Sequence, residues 1–178
     1  MTQMAQVNAQ HEFQIREFKP ADAQSCWQLF HDTVRRVNCR DYTPEQVDAW
    51  ANGGMDPAPW LRRFEGTCAY VAEQAHAIVG FADLTLAGYL DRLFVSADHQ
   101  RCGIASMLLD VIELAAMEHR ISRIHTQASI TAKPFLISRG YVVIHEQIVD
   151  CRGVGLANFV MERELLIGEG RSRSAHYP

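Results

Sequence analysis

The chain carries few of the short signatures by which a sequence declares its chemistry. There is no Gly-x-x-x-x-Gly-Lys-Ser/Thr loop and no Gly-x-Gly-x-x-Gly fingerprint, which excludes the phosphate cradles of P-loop and dinucleotide-binding domains. The five cysteines, Cys26, Cys39, Cys68, Cys102 and Cys151, include no Cys-x-x-Cys pair, and an odd number cannot all pair within one chain. A disulfide framework is therefore not expected, and the thiols read as reduced, in a cytoplasmic setting. The eight histidines show no metal-ligand spacing, so no metal is expected. No uninterrupted apolar run approaches membrane-spanning length, and the polar stretch Met1 to His11 lacks the apolar core of a secretion signal, so no membrane association is expected. A formal net charge of -4 offers no positive excess to a nucleic-acid backbone, which removes nucleic acid as the main partner.

What is present suits one compact domain: 178 residues, 48% of them hydrophobic and 21% charged. That domain is expected over residues 13–167, with residues 1–12 and 168–178 as flexible ends. The most informative stretch is Leu93-Phe94-Val95-Ser96-Ala97-Asp98-His99-Gln100-Arg101-Cys102-Gly103-Ile104-Ala105, where a β-type run turns directly into an amphipathic helix. In that helix Ile104, Met107, Leu108, Val111, Ile112 and Ala115 share one face. Leu109, Leu114 and Met117 widen the stripe, and Asp110, Glu113 and Glu118 form the polar edge. Gly103 leaves the backbone open at the helix start, where unpaired N–H groups and the positive end of the dipole suit an anion.

Periodicity and turn residues supply most of the remaining elements. A strand is expected over Phe13–Phe18, and a helix opening at Pro20-Ala21-Asp22 with Ala23, Trp27, Phe30, Val34 and Val37 on one face. Thr43-Pro44-Glu45-Gln46 is a capping-box helix start, and a further helical turn is expected around Trp60–Glu65. Thr67–Glu73, Ile78–Leu86 and Tyr89–Val95 read as strands. After the long helix come a strand at Arg123–Ala128 and a helix at Ala132–Arg139 stopped by Gly140. A hairpin of Val142–Val149 and Ala157–Leu165 then closes around Gly153-Val154-Gly155.

Gln100-Arg101-Cys102-Gly103-Ile104-Ala105 resembles the Gln/Arg-x-x-Gly-x-Gly/Ala signature of the GNAT family of acetyl-CoA-dependent N-acetyltransferases. Further on, Ala128-Ser129-Ile130-Thr131-Ala132-Lys133-Pro134-Phe135 followed by Gly140-Tyr141 is similar to that family's next strand, helix and Gly-aromatic turn. The likeness runs from about Phe13 to Leu166. It is greatest to bacterial YafP-like members, which share the Asp41-Tyr42-Thr43-Pro44-Glu45-Gln46 segment ahead of a Trp. The resemblance implies an α/β fold with a mixed sheet, in the order β-α-α-β-β-β-α-β-α-β-β, whose central strands splay apart.

It also implies acetyl-CoA as co-substrate. Main-chain groups of Leu93, Phe94 and Val95 would hold the pantetheine arm and acetyl carbonyl. Backbone amides of Gln100, Arg101, Cys102, Gly103, Ile104, Ala105 and Ser106 would receive the diphosphate. The Arg101 side chain either adds charge there or is an ordinary surface residue. Thr131 stands where the family often has an Asn that contacts the cofactor, and Phe135 belongs to the same segment. Cys102 reads as a residue that fits the turn.

Transfer to an amine needs a neutral nucleophile, and at neutral pH roughly one lysine-like amine in a thousand is unprotonated, a deficit of about 4 kcal/mol. Asp91 and Asp83 are the carboxylates near the expected site. Asp91, two residues before Leu93, is expected to face the same way as Leu93 and Val95 and to bind the amine or relay its proton. Pairing with Arg92 or Arg16 is the alternative. Leu136 replaces the family's usual Tyr acid, which leaves Tyr141, Tyr89 or Tyr42 as substitutes. No covalent nucleophile is evident, so direct attack in a ternary complex is expected. The acceptor is an amine of a small molecule or of a protein. A CoA-binding sensor or partner-binding module without catalysis is the rival reading, and a homodimer is open.

Overall fold

The computed structural model of the chain describes residues 13–54 and 56–166, so the ends expected to be flexible lie outside the described residues. Strands β1 (Gln14–Glu17), β2 (Thr67–Gln74), β3 (Ala77–Thr85), β4 (Tyr89–Val95), β5 (Arg123–Ser129), β6 (Val142–Cys151) and β7 (Val154–Glu164) form one sheet. Its order is β1-β2-β3-β4-β5-β7-β6. Neighbouring strands are antiparallel except β4 and β5 at the centre, which run parallel. The helices are α1 (Ala23–Arg36), α2 (Pro44–Trp50), α3 (Pro57–Arg62), α4 (Ile104–Glu118) and α5 (Lys133–Ser138).

The element order matches expectation with two adjustments. The turn expected at Trp60–Glu65 is a short helix that starts earlier, because Asp56 accepts from the Ala58 amide at 3.2 Å and Pro57 suits the first helical position. The last hairpin is also tighter than expected. β6 and β7 run on to a two-residue turn in which Arg152 and Gly153 both have positive φ (53° and 82°), the geometry that matches the strands' own twist. The capping box of α2 is as expected, with the Gln46 amide donating to Thr43 Oγ1 at 3.3 Å and the Thr43 amide to Gln46 Oε1 at 3.0 Å.

Helix α4 packs on one face of the sheet over β2, β3 and β4, and α1 packs on the other over β3 and β4. Leu84, Leu90, Leu108, Leu109, Ile112 and Ile124 are fully buried or nearly so between α4 and the sheet. Each such side chain contributes about 1.5–3 kcal/mol of transfer free energy. Gly80 permits the close approach: a Cβ there would sit 3.0 Å from Ile104 and 3.1 Å from Leu108. The buried face of α4 is rotated from the expected one. Leu114 and Met117 are exposed, whereas Glu113 is buried and ion-paired with Arg163, which compensates a carboxylate expected at the polar edge.

Candidate active site

The parallel pair at the centre of the sheet is short. Only Tyr89 with His125 and Leu90 with Thr126 are in register, and the Thr126 hydroxyl donates to the Leu90 carbonyl at 2.8 Å at that last paired position. Beyond it the strands part and leave a cleft of about 200 Å³. Leu93 and Val95 of β4, Ala128 and Ser129 of β5, and Phe135 and Leu136 of α5 are among its walls. A second, larger cavity of about 520 Å³ lies between α1, the α2–α3 region and the β6–β7 hairpin. Trp50, Asp91, Phe94, Gln127 and Ser129 line both, so the two spaces meet at these five residues.

At the far end of the cleft, β4 turns into α4. Arg101 and Gly103 both have positive φ, 61° and 82°, and no side chain caps the helix start. A Cβ on Gly103 would touch nothing within 4 Å, so the glycine answers a backbone requirement and not a steric one. Arg101, Cys102 and Gly103 are exposed, Ala105 borders the cleft, and Ser106 lies half-buried in the first turn. Ile104 is buried in the core, so only its amide is at the turn. The Gln100 side chain is occupied locally, donating to the carbonyls of Val95 (2.8 Å) and Ser96 (3.0 Å). Thr33 Oγ1 donates to the same Val95 carbonyl at 3.1 Å. Thr131 borders the cleft but donates to Asp41 Oδ2 at 2.7 Å and accepts from Asn38 Nδ2 at 3.1 Å.

Asp91 does not face the way sequence alternation implies. Leu93 and Val95 pack toward the α4 core, while Asp91 lines the larger cavity and its Oδ2 accepts from Arg63 Nη2 at 2.9 Å. The reason is a β-bulge. Asp83 is opposite Arg92 but Leu84 is opposite Leu90, so Asp91 is an extra residue on β4 and the alternation is reset. Its partner is Arg63 of the α3 end, with Arg92 Nε farther off at 3.6 Å; Arg16 pairs instead with Asp22 and Glu73.

Asp83 is fully buried and lines neither cavity. Both its oxygens accept from Arg92, Nε at 2.7 Å and Nη2 at 2.7 Å. Burial raises the Asp83 pKa, opposed by the adjacent guanidinium. This carboxylate holds Arg92 and is not presented to a ligand. Tyr141 also lies away from both cavities: it is buried beside Glu113 and Arg163, its hydroxyl has no hydrogen-bond partner among the described residues, and burial raises its pKa. Tyr42 lines the larger cavity, but its hydroxyl donates to the Ala157 carbonyl at 2.8 Å and accepts from the Ile130 amide at 3.0 Å. Tyr89 lines the same cavity, and burial raises its pKa as well.

Sequence reasoning did not single out Arg63, Gln127, Ser129 or Arg152. Each reaches the site through a turn or a pairing distant along the chain; Ser129 alone belongs to a motif, where it has no assigned role. Trp50 and Trp60 both line the larger cavity. Among the described residues no group of His, Cys, Asp and Glu has metal-binding geometry, and no helix is long and apolar enough to cross a membrane.

Comparison with known proteins bears on this geometry. Residues 38–164 match the family model of the acetyltransferase (GNAT) domain. The chain is 33% identical over 151 residues to the uncharacterized N-acetyltransferase YafP of Escherichia coli (strain K12), covering 85% of this chain and 95% of that protein. A GCN5-related N-acetyltransferase structure from Rhodopseudomonas palustris is 30% identical with a TM-score of 0.82, covering 85% and 95% of the two chains. The fold is also shared with YncA of Salmonella typhimurium, solved with acetyl-CoA, at 17% identity and a TM-score of 0.67, covering 95% of this chain and 100% of that one.

Proposed function

The chain belongs to the GNAT acetyltransferase family, and on that premise we propose a residue-level account of how it moves an acetyl group from acetyl-CoA to a primary amine. The observation that carries it is the cleft opened by the parting of β4 and β5, which ends at a wall shared with a second cavity. In this reading the cleft takes the pantetheine arm. Main-chain groups of β4 around Leu93 and Phe94, beyond the last residue paired with β5, hydrogen-bond it, and the Val95 carbonyl, already engaged twice, serves to shape the cleft. The successive amides from Arg101 to Ser106, uncapped and at the positive end of α4, receive the diphosphate. The larger cavity takes the acceptor.

Asp91 is the carboxylate at the junction, so it is assigned to accept the proton that the acceptor ammonium must lose, directly or through water. The nitrogen then attacks the thioester carbonyl in a ternary complex. The departing thiolate, with a thiol pKa near 8.5, leaves at a disadvantage of only about 2 kcal/mol at neutral pH, so Leu136 in place of a Tyr does not preclude turnover. Asp83 and Tyr141 are given structural roles. A reducing cytoplasmic setting completes the reading, in keeping with five free cysteines.

The test is a thiol-release screen of acetyl-CoA against diverse amines, with calorimetry for coenzyme A. Turnover that falls at least a hundredfold in Asp91→Asn, with coenzyme A affinity unchanged, is the expected result. Coenzyme A binding joined to zero turnover across the panel would reverse it in favour of a binding module.

A further inference from the structure

The larger cavity holds an ion pair where an acceptor must sit. Asp91 and Arg63 line it together, 2.9 Å apart, and Asp91 also borders the cofactor cleft. Arg63 engages Asp91 through Oδ2 and has no other carboxylate partner among the described residues, so an ammonium that reaches Asp91 shares that carboxylate with the guanidinium. A plain amine leaves two cations on one carboxylate, whereas an acceptor carrying its own carboxylate beside the amine balances them: ammonium on Asp91, carboxylate on Arg63. Across the cavity, Arg152 on the β6–β7 turn supplies a second guanidinium that has no carboxylate partner among the described residues and donates to the Ala49 carbonyl. Part of the remaining lining is aromatic, beside the polar Asp56, Gln127, Asp150 and Asn158. Trp27, Phe30, Trp50, Trp60 and Phe94 contribute, with Phe30 edge-on to Phe94 at 5.1 Å between ring centroids and to Trp50 at 6.5 Å. Such faces suit a planar apolar group, and the two further carboxylates of the lining, Asp56 and Asp150, each already accept a backbone amide, from Ala58 and Gly153.

We propose that the acceptor is a free α-amino acid with an apolar, planar side chain, its carboxylate held by Arg63 and its amine presented by Asp91 to the acetyl group. The inference rests on the acetyltransferase reading given above. The ammonium gives one proton to Asp91 or water, and the nitrogen lone pair forms the C–N bond at the acetyl carbonyl carbon. The C–S bond breaks, the nitrogen loses its second proton, and the coenzyme A thiolate takes one, so one proton in all passes to solvent.

The experiment compares phenylalanine, phenylalanine amide, phenethylamine, spermidine and a lysine-containing peptide as acceptors, for the wild type, Arg63→Ala and Arg63→Lys. Phenylalanine should exceed phenethylamine and the amide at least tenfold in kcat/KM. Arg63→Ala should cut that preference below threefold by raising KM for phenylalanine alone, and Arg63→Lys should restore part of it, with coenzyme A affinity unchanged in both. Equal use of phenethylamine, or a better rate with spermidine or the peptide, would overturn the amino-acid assignment while leaving acetyl transfer standing. No acetyl transfer to any of the five would overturn both.

Discussion

Arg92 gives Nε and Nη2 to the two oxygens of Asp83, both at 2.7 Å, at the place where β3 and β4 fall out of register. The guanidinium also lies over the Phe64 ring at 3.8 Å and donates to the Arg63 carbonyl at 3.0 Å. One buried pair therefore ties the bulge that turns Asp91 outward to the end of α3 that carries its partner.

Breaking that pair strands a charge. Asp83→Asn is expected to cost about 3–5 kcal/mol in urea denaturation, because the Arg92 guanidinium loses its counter-charge in a dry site. Replacing both at once, Asp83→Leu with Arg92→Met, should recover more than half of the loss. If the double variant is as unstable as the single one, the cost lies in packing and not in charge.

Tyr141→Phe removes a buried hydroxyl that has no partner among the described residues, so it should leave kcat unchanged and raise stability by about 1 kcal/mol. A kcat that falls tenfold or more would return the hydroxyl to the proton-transfer chemistry.

Gly103 sits at φ 82° in open space. Gly103→Ala therefore meets no clash, only the left-handed penalty of about 1 kcal/mol. The turn should relax toward negative φ, and coenzyme A affinity measured by calorimetry should fall about fivefold or more, with the apo protein losing about 1 kcal/mol.

Arg16 holds Asp22 at 2.7 Å, and this hydrogen bond lowers the Asp22 pKa from its ordinary 3.8. A lowered carboxyl pKa stabilises the fold fully above the unfolded value and loses that contribution as pH falls through the native one. Arg16→Ala should thus cost about 1 kcal/mol at pH 7, allowing for the partial exposure of the pair. The gap from wild type should narrow below pH 3.8 when unfolding is followed down the acid limb. A gap independent of pH would assign the loss to packing of the arginine stem.

The helix after Gly103 was legible because its apolar residues repeat at a helical period, and the turn before it because a glycine there has few other uses. Glu113 shows the limit of that reading: a carboxylate looks like a solvent edge until Arg163, far along the chain, is seen beside it. Asp91 was misread for a related reason. Alternation along a strand assumes unbroken register, and a bulge leaves no mark in local composition. Arg63 left no trace at all, since a lone arginine after a short helix reads as surface until its carboxylate is located. Asp83 and Tyr141 carried the right chemistry but lie on the interior side of their elements.

With coenzyme A in the cleft and the acceptor in the larger cavity, as proposed, the five residues common to both spaces make acyl group and acceptor compete for one volume. An acyl chain longer than acetyl would advance past Phe94 and Trp50 into the space of the acceptor's side chain. Donor choice is then set by the occupant of the neighbouring room: a bulky acceptor enforces acetyl, and a slender one admits propionyl.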